Sequence, residues 1–432
     1  MNGRPIAFVN VRLVDPASGW DGPGALVVKD GSIADVVRGG ELGPLGGDIE
    51  TLDGRGAMLA PGLVDLRVKT GEPGVETKET LKSASLAAAA GGVTSIVVQP
   101  DTDPVVDEPS VADFILRRAR DIGLVHVYPA GAATKGARGE RMAEIGLLRE
   151  AGCVYVTDAD RPVTDSKVLR RVLAYASSFG VLVAHRPADP WLSHGAAASE
   201  GEFAARMGLP SVPAISEKIM LERDLALVEL TGARLLVDQV TTACALETLA
   251  RGKAKGLPIA ATTSINHLSF NELDIGDYRT FCKLEPPLRA EEDRQALIEA
   301  LASGLVEIVV SAHAPAPAEE KRLPYDEAAP GAVGLQTLLA ALLAFHHEGR
   351  IPLIDLIRTV TAAPADLLGL PAGRLTRGAP ADLVLCDLMA PVLIDADKLI
   401  SKSKNSPFDG RRLQGEVRMT LVDGRTVYRA EG

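Results

Sequence analysis

Three histidines set far apart in the chain, His185, His267 and His313, and a close acid pair, Asp158 and Asp160, are residue types that hold a catalytic divalent metal. Such a site would activate water or polarise a carbonyl. Each histidine also has a plainer role open to it. His185, at the end of an apolar run, suits a hydrogen-bonded strand end; His267 suits packing or a loop hydrogen bond; His313 has no acid or nucleophile at a known spacing. A second group is cationic: Arg67, Lys69 and Lys283 are candidates for an anion site. The chain carries no Gly-rich phosphate loop and no Gly-x-Ser-x-Gly elbow, which removes kinase-like and serine-hydrolase chemistry. The run Lys402-Ser403-Lys404-Asn405 looks basic, and Glu319-Glu320-Lys321-Arg322 reads as a solvated mobile loop.

The elements that must position these residues differ along the chain. Ile6–Val9 and Ala25–Val28 are short apolar β runs, and Asp382–Leu385, Val417–Val422 and Asp423–Tyr428 repeat that texture near the other end. Between them, apolar runs at Thr94–Val98, Val181–Ala184, Arg234–Val237 and Glu307–Val310 alternate with helical stretches at Glu79–Ala90, Ser110–Arg120, Lys167–Ser178, Ser216–Leu230 and Ala290–Ala302. This alternation predicts parallel βαβ units and an α/β fold, a (β/α)8 barrel, with the two ends pairing into a small β domain. The 432 residues carry 46 Lys+Arg against 57 Asp+Glu, a net charge of −11, and are only 4% aromatic, a poor fit to nucleic acid. No uninterrupted apolar run approaches the roughly 18 residues of a membrane span. The start, MNGRPIAFVN, lacks the pattern of a secretion signal, and Cys153, Cys244, Cys282 and Cys386 show no CxxC pairing. A cytoplasmic chain with buried free cysteines is the expectation.

The stretch LAPGLVDLRVKTGEPG at 59–74 resembles the opening barrel strand of the dihydroorotases, a branch of the amidohydrolase superfamily whose usual form is PGLVD-x-H-x-H-x-R-E-P-G. AAGGVTSIVVQPDTDP at 89–104, GLPSVPAISEKIMLERDLALVELTGARLLV at 208–237, KLEPPLR at 283–289, SAHAPAPAEEK at 311–321, GAVGLQTLL at 331–339 and SKSKNSPFDGR at 401–411 extend the resemblance almost end to end. It implies a β-sandwich built from residues 1–58 and 369–432 beside a barrel at 59–368, and a structural turn rather than a phosphate site at Lys402-Ser403-Lys404-Asn405. It also implies hydrolysis or closure of the cyclic amide of dihydroorotate at a zinc-type centre.

Carried over residue by residue, that centre is largely missing. The His-x-His positions hold Arg67 and Lys69, cations that repel a divalent ion. Asp158 or Asp160 fills the acidic position and His185 the first later histidine. The second is Gln239, and the last-strand acid is Ala312. The substrate side departs as well. The arginine that clamps the substrate carboxylate is Gly71, and Asp101 and Glu285 replace asparagines; His313 remains. These positions therefore read as vestigial, with no catalytic residue, metal or cofactor assigned. Because a buried carboxylate without its metal is costly, Arg67 or Lys69 should pair with Asp158 or Asp160.

The resemblance then implies a pseudoenzyme of pyrimidine biosynthesis. Inactive chains of this kind partner the catalytic chain of aspartate carbamoyltransferase as noncatalytic subunits, giving a hetero-oligomer, with a homodimer as a further arrangement. Two other readings stand beside it: an active zinc-dependent dihydroorotase or cyclic amidohydrolase with a rearranged site on His185, His267, His313 and an Asp, and a metal-free barrel that binds a small anion through Arg67, Lys69 and Lys283.

Overall fold

The structure, a computed structural model, describes residues 5–40, 42–43 and 49–430, so Met1–Arg4 of the start discussed above lie outside the described residues. Strands β1 (Ile6–Asp15), β2 (Trp20–Lys29), β3 (Ser32–Arg38), β4 (Glu50–Asp53) and β5 (Met58–Pro61) share one sheet with β13 (Leu383–Leu393), β14 (Arg412–Val422) and β15 (Arg425–Arg429). The chain ends meet where β5 pairs antiparallel with β13, Leu59 opposite Leu385. Alternating residues from both ends, among them Phe8, Leu26, Ile33, Leu383 and Leu421, fill one core, so the sheet closes over itself as a sandwich.

The barrel begins at β6 (Leu63–Val68). It continues through β7 (Val93–Val98), β8 (His126–Pro129), β9 (Val183–His185), β10 (Leu235–Val237), β11 (Ile259–Ser264) and β12 (Ile308–Val310), all joined in parallel. These are near-continuous apolar runs because a parallel sheet is covered on both faces. The fourth barrel position is reduced to bridges of Val156 to Gly131 and Val183, and the ring closes where Val68 bridges His313. Helices intervene as the periodicity predicts, including Leu81–Ala90, capped by Thr80, and Ile215–Thr231, ended by left-handed Gly232.

At the seam of the two domains, His126 Nε2 lies 3.0 Å from Asp382 Oδ2 and 3.8 Å from Asp423 Oδ1. No helix among the described residues is long and apolar enough to cross a membrane. Cys153, Cys282 and Cys386 are buried, while Cys244 is half-buried, and all four are free.

Candidate functional site

The C-terminal ends of the barrel strands surround a cavity of about 290 Å³ whose walls include Arg67, Lys69, Asp101, Asp160, Gln239 and His313. Arg67 points inward from β6. Its Nη1 is 2.7 Å from Asp238 Oδ2 and 3.2 Å from Gln99 Oε1, and its Nη2 pairs with Asp160. Lys69 Nζ pairs with Asp160 and lies 2.6 Å from Asp101 Oδ2. Arg186 adds a third cation, with Nη1 3.1 Å from Asp160 Oδ1 and 3.6 Å from Glu285 Oε1.

The result is an alternating charge chain, Asp101–Lys69–Asp160–Arg67–Asp238, with Arg186 and Glu285 at its side. Burial alone would raise the Asp160 carboxyl, but Lys69, Arg67 and Arg186 outweigh it and hold the group far below the usual carboxylate range. Burial works against the charged forms of Arg67 and Lys69 in the same way; Asp238 and Asp160, and Asp101 and Asp160, respectively drive both above their ordinary values. The pairing of strand-one cations with an acid is therefore present, and it falls on Asp160. Asp158 is not part of it. That carboxylate is buried away from the mouth, accepts from the Thr134 N–H at 2.9 Å and from the Thr134 hydroxyl, and is pushed up by burial.

The other half of the mouth keeps histidines, yet each ring is engaged. His185 Nε2 accepts from the Val163 N–H at 2.9 Å, so its proton sits on Nδ1, which is 2.6 Å from Asp224 Oδ2. His267 Nε2 donates to Pro286 O at 3.1 Å and Nδ1 is 2.7 Å from Ser264 Oγ. Burial, with repulsion from Arg289, pushes His267 down to about 3, so it stays neutral. His313 Nδ1 accepts from the Gly334 N–H at 3.2 Å, which leaves the proton on Nε2, 3.5 Å from Glu79 Oε2.

A divalent metal does not fit this arrangement. No histidine turns a free lone pair toward the cavity, Ala312 offers only a methyl group, and the Gln239 amide, with its oxygen turned to Arg67, accepts from Nη2 at 3.3 Å. Among the described residues, the one set of three His, Cys, Asp or Glu whose ligand atoms fall within 4.8 Å of one another is His126, Asp382 and Asp423 at the domain seam. The backbone keeps unusual geometry regardless: Gln239 and Ala312 hold φ of 61° and 51°, conformations that cost roughly 1–3 kcal/mol each for such residues. The clamp position is closed too. Gly71 has φ of 69°, and a Cβ there would meet Val75 O at 2.5 Å.

Two sequence expectations need correction. Lys283 does not join Arg67 and Lys69 as an anion site, because those two are neutralised by Asp101, Asp160 and Asp238 and because Lys283 lines a different cavity. The stretch at 319–322 is no solvated loop: Ala318–Lys321 forms a helical turn, buried Lys321 donates to Thr280 O at 3.0 Å, and Glu320 meets Lys78 at 2.9 Å. Segment 402–405 is structural, as the resemblance implies. Asn405 Nδ2 donates to Ala314 O and Gly331 O, and the Lys402 N–H is held by Glu79. Sequence reasoning missed Asp238, Arg186 and Asp224. The only signal for the first two was adjacency, since each lies one residue from a named strand-end position.

Residues 56–244 match the dihydro-orotase-like family and residues 332–428 the amidohydrolase family. The dihydroorotase of Anaeromyxobacter dehalogenans is 42% identical over 419 residues, covering 96% of both chains. That of Desulforapulum autotrophicum is 38% identical over 426 residues and covers 99% of both. Among solved structures, the L-hydantoinase (dihydropyrimidinase) of Arthrobacter aurescens superposes with a TM-score of 0.86 at 24% identity, covering 99% of this chain and 96% of that one. The dihydropyrimidinase of Brevibacillus agri does so with 0.82 at 20% identity, covering 98% and 95%. At those identities the structural neighbours establish the fold.

Proposed function

The chain belongs to the dihydroorotase family of the amidohydrolase superfamily, and from that premise we propose that it is a pseudoenzyme of de novo pyrimidine biosynthesis that assembles and stabilises the catalytic chain of aspartate carbamoyltransferase. One observation carries the loss of catalysis. The two strand-one positions that should bind metal are cations locked into Asp101, Asp160 and Asp238. Ring hydrolysis of the family kind needs a polarising metal and its hydroxide. With Arg67, Lys69, Gln239 and Ala312 in place, the mouth lacks the donor set to hold one. A folded barrel freed from chemistry still offers a large rigid surface, which is what a noncatalytic subunit contributes.

The second reading, an active zinc-dependent cyclic amidohydrolase, draws on the name its curated relatives carry. It requires His185, His267 and His313 to leave their present hydrogen bonds. The partner claim is tested by expressing the transferase catalytic chain with and without this protein. A stable complex on size exclusion, with transferase activity raised or thermally protected by its presence, is the predicted result. Separate elution and unchanged transferase activity would remove the assembly role.

A further inference from the structure

A second cavity, of about 520 Å³, adjoins the mouth and shares Asp160, Leu284, Glu285 and Pro330 with it. Three cations on its wall are buried: Arg186, Lys283 and Arg289 are 4%, 7% and 5% exposed. A buried cation is costly unless a carboxylate sits close to it. The four carboxylates on the same wall do not meet that need. Asp160 is shared by three cations and already pairs with Arg67 and Lys69. Glu285 is half exposed and 3.6 Å from Arg186. Glu217 accepts from the N–H and hydroxyl groups of Thr241 and Thr242, leaving Arg289 Nη2 at 3.6 Å. Asp326 meets Lys283 through its backbone carbonyl, at 2.8 Å, while its exposed carboxylate acts on Lys283 only through its charge.

Hydrogen-bonding capacity is left over in consequence. Arg186 Nε is buried with no acceptor. Arg289 spends its other donors on neutral hydroxyls, Thr241 Oγ1 at 3.0 Å and Ser199 Oγ at 3.4 Å. Lys283 gives one of its three protons to a carbonyl. Burial drags both Arg289 and Lys283 below their ordinary values, outweighing the charges of Glu217 and Asp293 on the first and of Asp326 and Glu285 on the second, and Arg186 adds repulsion on Arg289.

We propose that this side chamber binds a small molecule through a carboxylate or phosphate group, gripped by the guanidinium forks of Arg186 and Arg289 and the ammonium of Lys283. Two planar forks suit the paired oxygens of such a group, and the volume accommodates a metabolite-sized body behind it. None of these three cations occupies a position discussed as a metal ligand, although Asp160 lines the shared wall, so such binding does not require the chain to hydrolyse anything.

The test is calorimetric titration of the full chain with inorganic phosphate and, separately, with succinate, each against sodium chloride at matched ionic strength. Saturable binding near one equivalent by either anion is predicted, and which of the two binds identifies the group. Lys283→Met, whose lost side chain breaks only a bond to a carbonyl, should weaken that binding about tenfold or more. Arg186→Gln should do the same, while Lys398→Met on the exposed surface should leave it unchanged. Absence of saturable binding by both anions, or Lys283→Met binding as tightly as wild type with its fold intact by circular dichroism, would overturn the proposal.

Discussion

The two halves of the barrel mouth are poorly suited to a divalent metal for different physical reasons. On the side of β6 and β7, ligand positions carry the wrong charge: Arg67 and Lys69 occupy the space and their carboxylate partners supply the compensation. On the side of β9, β11 and β12, the histidines remain, but each ring nitrogen that could ligate is either protonated or accepting a backbone or hydroxyl hydrogen. The first half depends on mutual neutralisation, so its members stand or fall together. The second depends on separate local hydrogen bonds, so its members should respond one at a time. The contrast teaches that a retained histidine says little about a metal until the partners of both its nitrogens are known.

The largest predicted effect breaks the first half. Arg67→Met strands Asp238 and leaves Asp160 short of a cation, and should cost about 3 kcal/mol of stability in chemical denaturation; an unchanged midpoint would show that the charge chain does not hold the mouth together. Asp160→Asn comes next, at about 2 kcal/mol near neutral pH because the group is partly exposed. Its pH dependence has a definite sign. The folded-state value is depressed, so the stabilisation is complete above the unfolded carboxylate value of about 4 and is lost as pH falls below it. The gap between wild type and Asp160→Asn should therefore narrow on acidification, and a gap that widens would contradict the assignment.

In the second half, Asp224→Ala removes only the acceptor of the His185 Nδ1 proton and one partner of Arg223. A loss of about 1–2 kcal/mol is predicted, without any gain of zinc affinity. Nitrogen-15 shifts of His185 in wild type should report the Nδ1–H form, and the opposite tautomer would break the comparison. The smallest effect lies outside the mouth. Bonding to Asp382, then the charges of Asp382 and Asp423, raises His126, so that ion pair stabilises the domain seam fully below about pH 6.5 and fades as pH climbs past the raised value. His126→Gln should lose less than about 1 kcal/mol at pH 6 and less still at high pH, read as the difference in melting temperature from wild type across that range.

Much of this was legible in the sequence because the barrel strands are continuous apolar runs and the end strands carry their own turn signals. Val93–Val98 and Ile308–Val310 fall where the runs predict. Met58–Pro61 pairs into the small sheet and Leu63–Val68 opens the barrel, with the turn residues Pro61-Gly62 between them. The fourth barrel position was not legible, since a strand reduced to bridges at Val156 leaves no pattern. The pairing of a strand-one cation with Asp158 or Asp160 followed from the resemblance, which places those positions around one centre, together with their opposite charges. The choice between the two acids depended on Thr134, 24 residues from Asp158, and no local rule points to it. Lys321 was misread for the same reason: a run of charges looks solvated until tertiary packing closes over one of them.

The central claim is tested most directly by elemental analysis and a dihydroorotase assay on one purified sample of the full chain. The account predicts no turnover of dihydroorotate or carbamoyl aspartate, and less than about a tenth of an equivalent of metal retained at the barrel mouth after dialysis. One equivalent of zinc, unaffected by His126→Gln at the seam and accompanied by measurable ring hydrolysis, would contradict it and show that His185, His267 or His313 abandons its hydrogen bonds to ligate.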